Sequence, residues 1–199
     1  MDTQRVRRGA DRRFGGLRIR ETHTPRSPHS YLHPVGECWH VRARADCWRV
    51  ADRCGAIGSA EEISEAVGKS LPGQAKPVDG AADTTIGRTD RIDCYYGLGD
   101  SEQVANAPVR VGLASYTDAR TATERVGKTI ADEKAAGAKS SDVTVGVDKG
   151  TLLVGKNSST LVATHQATTV VVIAAIDTVP AAQAPTVLAK IADRALSPR

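Results

Sequence analysis

At 199 residues the chain has room for one domain of ordinary size plus a tail, because single cores commonly occupy about 100 to 200 residues. The formal net charge of +4 and the pI near 9.0 would point to a nucleic-acid or anionic-surface binder if the charge were spread along the chain. It is not: residues 1–53 hold 12 Arg, no Lys and 6 acids, a net of +6, whereas residues 54–199 hold 15 basic and 17 acidic residues, a net of −2, which takes the basic character away from the folded part.

The same boundary sorts other residue types: four of the five His, both Trp, the only Phe and three of the four Cys lie at or before residue 54. No window of 1–53 sustains an apolar period of 2 or 3.6, so this segment is expected to be poorly ordered. Arg, Pro, His, Trp and Cys without Lys is also what a GC-rich gene gives when read in the wrong frame or from too early a start codon. A mistaken extension and a genuine Arg-rich tail for acidic partners are therefore both open readings. The opening Met1-Asp2-Thr3-Gln4-Arg5 lacks the apolar stretch of a signal peptide, and no run of 18 apolar residues suggests a membrane span. Taken literally the chain is cytoplasmic, unless a true signal was lost with the extension.

In chain order, Ser59-Ala-Glu-Glu62 has the spacing of a capping box ahead of Ile63, Ala66 and Val67, which predicts a short helix ending at Gly68. Leu71 to Thr89 is rich in Gly, Pro, Asp and Thr and reads as a long surface loop. Arg91–Leu98 and Val109–Tyr116 read as strands separated by a loop. Asp118 is placed to cap a helix with Ala119, Ala122, Val126 and Ile130 on its apolar stripe and Gly137 at its end. Val143–Val147, Leu152–Val154, Thr160–Thr164 and Thr168–Ile176 follow as β-branched runs. The short gaps between them, beginning with Asp148-Lys149-Gly150, allow hairpins and exclude parallel crossovers. Thr178-Val179-Pro180 opens a last helix carrying Ala184, Val187, Leu188, Ile191 and Ala195, in which Pro185 is either a first-turn residue or a kink. The expectation is an α+β domain over 54–199, with an antiparallel sheet of about five to six strands, helices packed on one face and the order α-β-β-α-β-β-β-β-α.

Cys54 precedes the first helix and Cys94 lies in the first strand, so a bridge between them would tie down the intervening loop and contribute about 3 to 4 kcal/mol by loop-closure entropy. Two buried free thiols are the alternative. Cys38, His40, Cys47 and Cys54 are four potential zinc ligands, but no Cys-x2-Cys pair exists and the spacing is wrong for a structural site. No metal and no cofactor is expected.

Asp52-Arg53-Cys54, the segment from Ala60 to Gly68, Cys94-Tyr95-Tyr96-Gly97, and the runs Gly150 to Val154 and Thr169 to Val172 resemble the actinobacterial secreted lipoproteins of unknown function. Those proteins carry a D-x-C segment ahead of a short helix ending in Gly and a second Cys followed by an aromatic. Extracytoplasmic sensor domains of actinobacterial receptor kinases are a second match of the same general kind. The resemblance implies an envelope location, a lipid anchor in the native form, a disulfide between Cys54 and Cys94, and no catalytic residues. The signal peptide and lipid-modified Cys of the family are not visible in this sequence.

Three motifs invite stronger readings. Gly150 to Lys156 matches P-loop spacing until Asn157 stands where Ser or Thr would hold magnesium, and its Leu-Leu-Val content is that of a strand. His165 is the only His after residue 54, and a triad with Ser115 or Ser159 and Asp148 is not indicated by spacing. Asn157-Ser158-Ser159 is formally a glycosylation sequon and reads more simply as a turn. Tyr95, Tyr96 and Tyr116 are candidate ligand-binding residues, with alternation placing Tyr95 and Tyr96 on opposite sheet faces. The resulting expectation is a non-enzymatic extracytoplasmic domain that binds or senses an envelope ligand or partner through the open sheet face or the 71–89 loop. The folded domain itself is not expected to bind nucleic acid. The rival reading is a cytoplasmic nucleic-acid-associated protein using the Arg-rich tail, with salt-sensitive affinity.

Overall fold

The computed structural model describes residue 51 and residues 53–100 and 102–197. The readings that fall on residues 1–50, including the Arg-rich tail, Cys38, His40 and Cys47, lie outside the described residues. The chain forms α1 (Cys54–Ile57), α2 (Ala60–Val67), β1 (Lys76–Gly80), β2 (Arg88–Tyr96), β3 (Val109–Tyr116), α3 (Ala119–Ala135), β4 (Lys139–Val145), β5 (Asp148–Val154), β6 (Ser158–His165), β7 (Thr168–Ala175) and α4 (Ala184–Leu196). This is an α+β fold with one sheet of seven strands, in the spatial order β1-β2-β3-β7-β6-β5-β4. Every adjacent pair is antiparallel.

The predicted caps form as their chemistry requires. The Ser59 hydroxyl accepts from the Glu62 amide at 3.2 Å while the Ser59 amide donates to the Glu62 carboxylate at 2.8 Å, completing the capping box of α2. The Asp118 carboxylate accepts from the Thr121 amide at 2.7 Å and starts α3. At its far end Gly137, at φ +93, lets its own amide reach the Lys134 carbonyl and the Ala138 amide reach that of Glu133, the paired bonds of a Schellman stop. Pro185 sits in the first turn of α4, where its missing N–H costs nothing.

The sheet has seven strands and not the expected five to six, and the order is α-α-β-β-β-α-β-β-β-β-α and not α-β-β-α-β-β-β-β-α, because the short α1 and the edge strand β1 were not anticipated. Four further expectations need correction. The segment 71–89 is not wholly loop: Lys76–Gly80 is an edge strand paired with β2, from Lys76 opposite Tyr95 to Gly80 opposite Arg91, and Arg88 and Thr89 already belong to β2. Lys-Pro-Val-Asp-Gly carries no strand pattern, and its extended form is imposed by the partner strand. The hairpin between β4 and β5 turns at Gly146 and Val147, with Val145 opposite Asp148, so Asp148-Lys149-Gly150 is strand and not turn. The last helix starts at Ala184 after a run of turns and not at Thr178.

The fourth correction sets up the site. Helices cover both faces of the sheet. On one face α1, α2 and α4 pack over Ile92, Cys94, Tyr96, Val109, Val111, Leu113, Leu152, Leu161, Val170 and Val172, and these side chains form the main core. α3 crosses the opposite face, against β3, β5, β6 and β7. Strands buried on both sides lose their polar alternation, and the unbroken Leu161-Val162-Ala163 and Val170-Val171-Val172-Ile173-Ala174 carried that signal in the sequence.

A disulfide joins Cys54 to Cys94, with Cα atoms 5.5 Å apart. It fastens α1 to β2 across a separation of 40 residues, which by loop entropy is worth about 4 kcal/mol. Both cysteines are buried in the core. The edge strands are blunted: Pro77 removes a donor from β1, and Lys139, Ser140, Ser141 and Asp142 keep β4 polar and exposed.

Candidate functional site

α3 covers its face loosely. Of its expected stripe only Ala122 is buried, while Val126 and Ile130 are half-buried and Ala119 is exposed. The space left between helix and sheet is a cavity of about 250 Å³. Its floor comes from alternate residues of the central strands, because Asp93, Gly112 and Val171 lie opposite one another on β2, β3 and β7, and Arg110 lies opposite Ile173. Its roof is one flank of α3, where Arg125, Val126, Thr129 and Glu133 recur at helical spacing.

The walls carry an unusual amount of charge. Arg88, Arg91, Arg110 and Arg125 line the cavity together with the acids Asp93 and Glu133. Asp93 is 5 % exposed, and a carboxylate that deep needs partners. It has two: Arg91 Nε donates to Oδ2 at 2.8 Å, and Arg110 donates to Oδ1 from Nε at 3.1 Å and from Nη2 at 2.8 Å. Gly112 makes this arrangement possible, since a Cβ there would stand 2.6 Å from Asp93 Oδ1. Glycine is required at that position by close approach and not by backbone angle.

The two guanidinium groups are thereby fixed without being used up. Nη1 of Arg91 and of Arg110 makes no hydrogen bond or ion pair among the described residues, and these side chains remain 34 % and 31 % exposed. Arg110 also lies 5.5 Å over the Tyr95 ring, which steadies it further. Arg125 Nε is buried with no hydrogen-bond partner among the described residues. Arg88 donates to the Ala81 carbonyl and stands 4.0 Å from Asp83. The Asp83 carboxyl is held below the usual carboxylate range, first by the Thr85 hydroxyl and amide, with the Arg88 and Arg125 charges adding to the effect.

The three tyrosines separate. Tyr116 lines the cavity, and Tyr95 flanks it through Arg110. Tyr96 points into the other face as alternation requires: it is fully buried, and its hydroxyl donates to the Gly58 carbonyl at 2.9 Å. Burial, and secondarily the Glu62 charge, pushes its phenol well above the ordinary range.

His165 Nδ1 lies 2.9 Å from the Asp148 carboxylate, but the serines do not join them. Ser115 and His165 each lie opposite Thr168, so two strand spacings, about 10 Å, separate them. Ser159 lies at the far end of β6. Gly150 to Val154 lies within β5, followed by a turn into β6 and not by a helix that could receive phosphate. Cys54 is committed to the disulfide, and among the described residues no group of three or more His, Cys, Asp or Glu is placed to hold a metal. No helix among them is long and apolar enough to cross a membrane.

The charged wall was not among the sequence candidates. Its only signal was alternation, with Arg91 and Asp93 on the face opposite Ile92 and Cys94, and Arg125 falling between Ala122 and Thr129 on one flank of α3. No protein-family profile, no curated protein and no solved structure matches this chain.

Proposed function

We propose that this chain is a non-enzymatic binding domain of the cell envelope, exported and lipid-anchored in its native form, which holds a ligand between α3 and the sheet. The observation that carries the binding reading is the cavity itself: about 250 Å³ between one loosely seated helix and the sheet, a concave space on which four arginines and two acids converge over a floor that includes Gly112, Val171 and Ile173. Concave sites with convergent polar groups are where ligands commonly bind. The envelope location is supported by the Cys54–Cys94 disulfide, a bond that a reducing cytosol does not keep, and by the motif resemblance to secreted actinobacterial lipoproteins.

Two measurements test the reading. In a thermal-shift screen of small molecules on the full chain, some compounds are expected to raise the melting temperature of the parent but not of Val171→Phe, which fills the cavity floor. Equal shifts in both proteins, or none in either, contradict binding at this site. In fractionated cells of the native source, the protein is expected in the envelope fraction and digested by protease added to spheroplasts. Recovery of intact protein in the cytosol alone contradicts export.

A further inference from the structure

Resting on that binding reading, we infer that the cavity selects a small organic anion, one carrying a carboxylate or phosphate group that bridges the guanidinium groups of Arg91, Arg110 and Arg125. The folded segment has a net charge of −2, and its 15 basic residues divide into 7 Arg and 8 Lys. Four of those Arg and none of those Lys line this one cavity. Lys delivers a point charge; Arg presents a planar fork that matches an oxyanion through two parallel hydrogen bonds, so an all-Arg wall is a wall for oxyanions.

The acids present do not neutralise it. Asp93 and Glu133 on the walls, with Asp83 beside Arg88, leave the cations in excess. The position of Asp93 is that of a support: it takes the Nε side of both Arg91 and Arg110 and leaves Nη1 of each available, while Arg125 brings a third guanidinium group to the lining from the roof. A buried carboxylate thus fixes the orientation of two guanidinium groups before the ligand arrives, which lowers the ordering cost of binding. Thr160 and Thr169 place hydroxyl side chains in the same lining, able to complete the coordination of a polyoxygen group. A volume of about 250 Å³ suits a small metabolite.

The test is a titration of the full chain, followed through the arginine Nε–Hε resonances, with inorganic phosphate, succinate and uncharged glucose as separate probes at constant ionic strength. Phosphate, succinate or both are expected to give saturable shifts at Arg91, Arg110 and Arg125, and whichever anion binds more tightly identifies the headgroup chemistry. Arg125→Gln is expected to weaken that anion about tenfold or more, as loss of a charge-assisted donor should. Glu133→Gln, which removes a like charge, is expected to tighten it about threefold, an effect that misfolding cannot imitate. Lys128→Gln, on an exposed turn of the same helix, should leave affinity unchanged. Shifts that grow linearly with concentration, or that respond equally to Lys128→Gln and Arg125→Gln, overturn the proposal as charge screening. If glucose or other neutral compounds bind at the cavity and neither anion does, the anion assignment fails while the binding site stands. If no probe and no compound of the screen perturbs the cavity, both fail.

Discussion

Two residues show how closely the side chains of this sheet are matched to their places. Asp93 is buried at the cavity floor only because Gly112 opposite it has no side chain. Gly112→Ala is therefore expected to displace the carboxylate, release Arg91 and Arg110, and destabilise the protein by about 1 to 3 kcal/mol in denaturant melts. On the other face Tyr96 is held neutral by burial, with its hydroxyl on the Gly58 carbonyl. Its folded pKa lies above the unfolded value, so its contribution is complete below about pH 10 and falls as the pH rises beyond it, because the unfolded chain then loses the proton first. Stability should drop by about 1.4 kcal/mol per pH unit from this group alone above about pH 10. Tyr96→Phe, weaker at neutral pH for want of the hydrogen bond, should lack that increment. Parallel pH profiles of the two proteins would contradict the assignment.

Among the elements, α3 decides whether there is a site at all. It is anchored at its start by Asp118 and is thinly buried along its length. The Asp118 carboxyl is held below the usual range by its bonds to the Thr121 amide and hydroxyl. The stabilisation is present above the unfolded carboxyl value and is lost as the pH falls through the lower folded one. Hydrogen exchange at the first amides of α3, taken relative to the intrinsic rate at each pH, is expected to rise below about pH 4 before the sheet opens. In Asp118→Ala it should already be fast at neutral pH and no longer respond. The caps of α2 and α3, the span of β3 and the turns joining β5, β6 and β7 were legible, because local chemistry alone specifies them. β1 was not, since Lys76–Gly80 is a strand only by virtue of β2 beside it. The placement of α3 was misread because short-range pattern gives a helix its apolar stripe but not the face it will cover. The same limit concealed the cavity, where Arg88, Arg91, Arg110 and Arg125 meet across two strands and a helix. Tyr116 was picked out as an aromatic and Tyr95 by alternation, but no local signal linked either to these arginines.

For the whole molecule, the organising fact is the covalent link between the first helix and the second strand. It closes the stretch that includes β1 and forms one side of the core, where α1 meets Cys94 and Tyr96. Reduction, or Cys54→Ala with Cys94→Ala, should lower stability by about 3 to 4 kcal/mol if the entropic account holds, and the part most affected should be the segment from α1 to β2. The same link supports the proposed location, because disulfides form and persist mainly in oxidising compartments. The most direct measurement is therefore the thiol state of the protein taken from its native source: alkylation under denaturing conditions without reductant, followed by peptide mass analysis. The account expects Cys54 and Cys94 to be recovered as one unalkylated, disulfide-linked peptide pair. Recovery of both as separate alkylated peptides would contradict it.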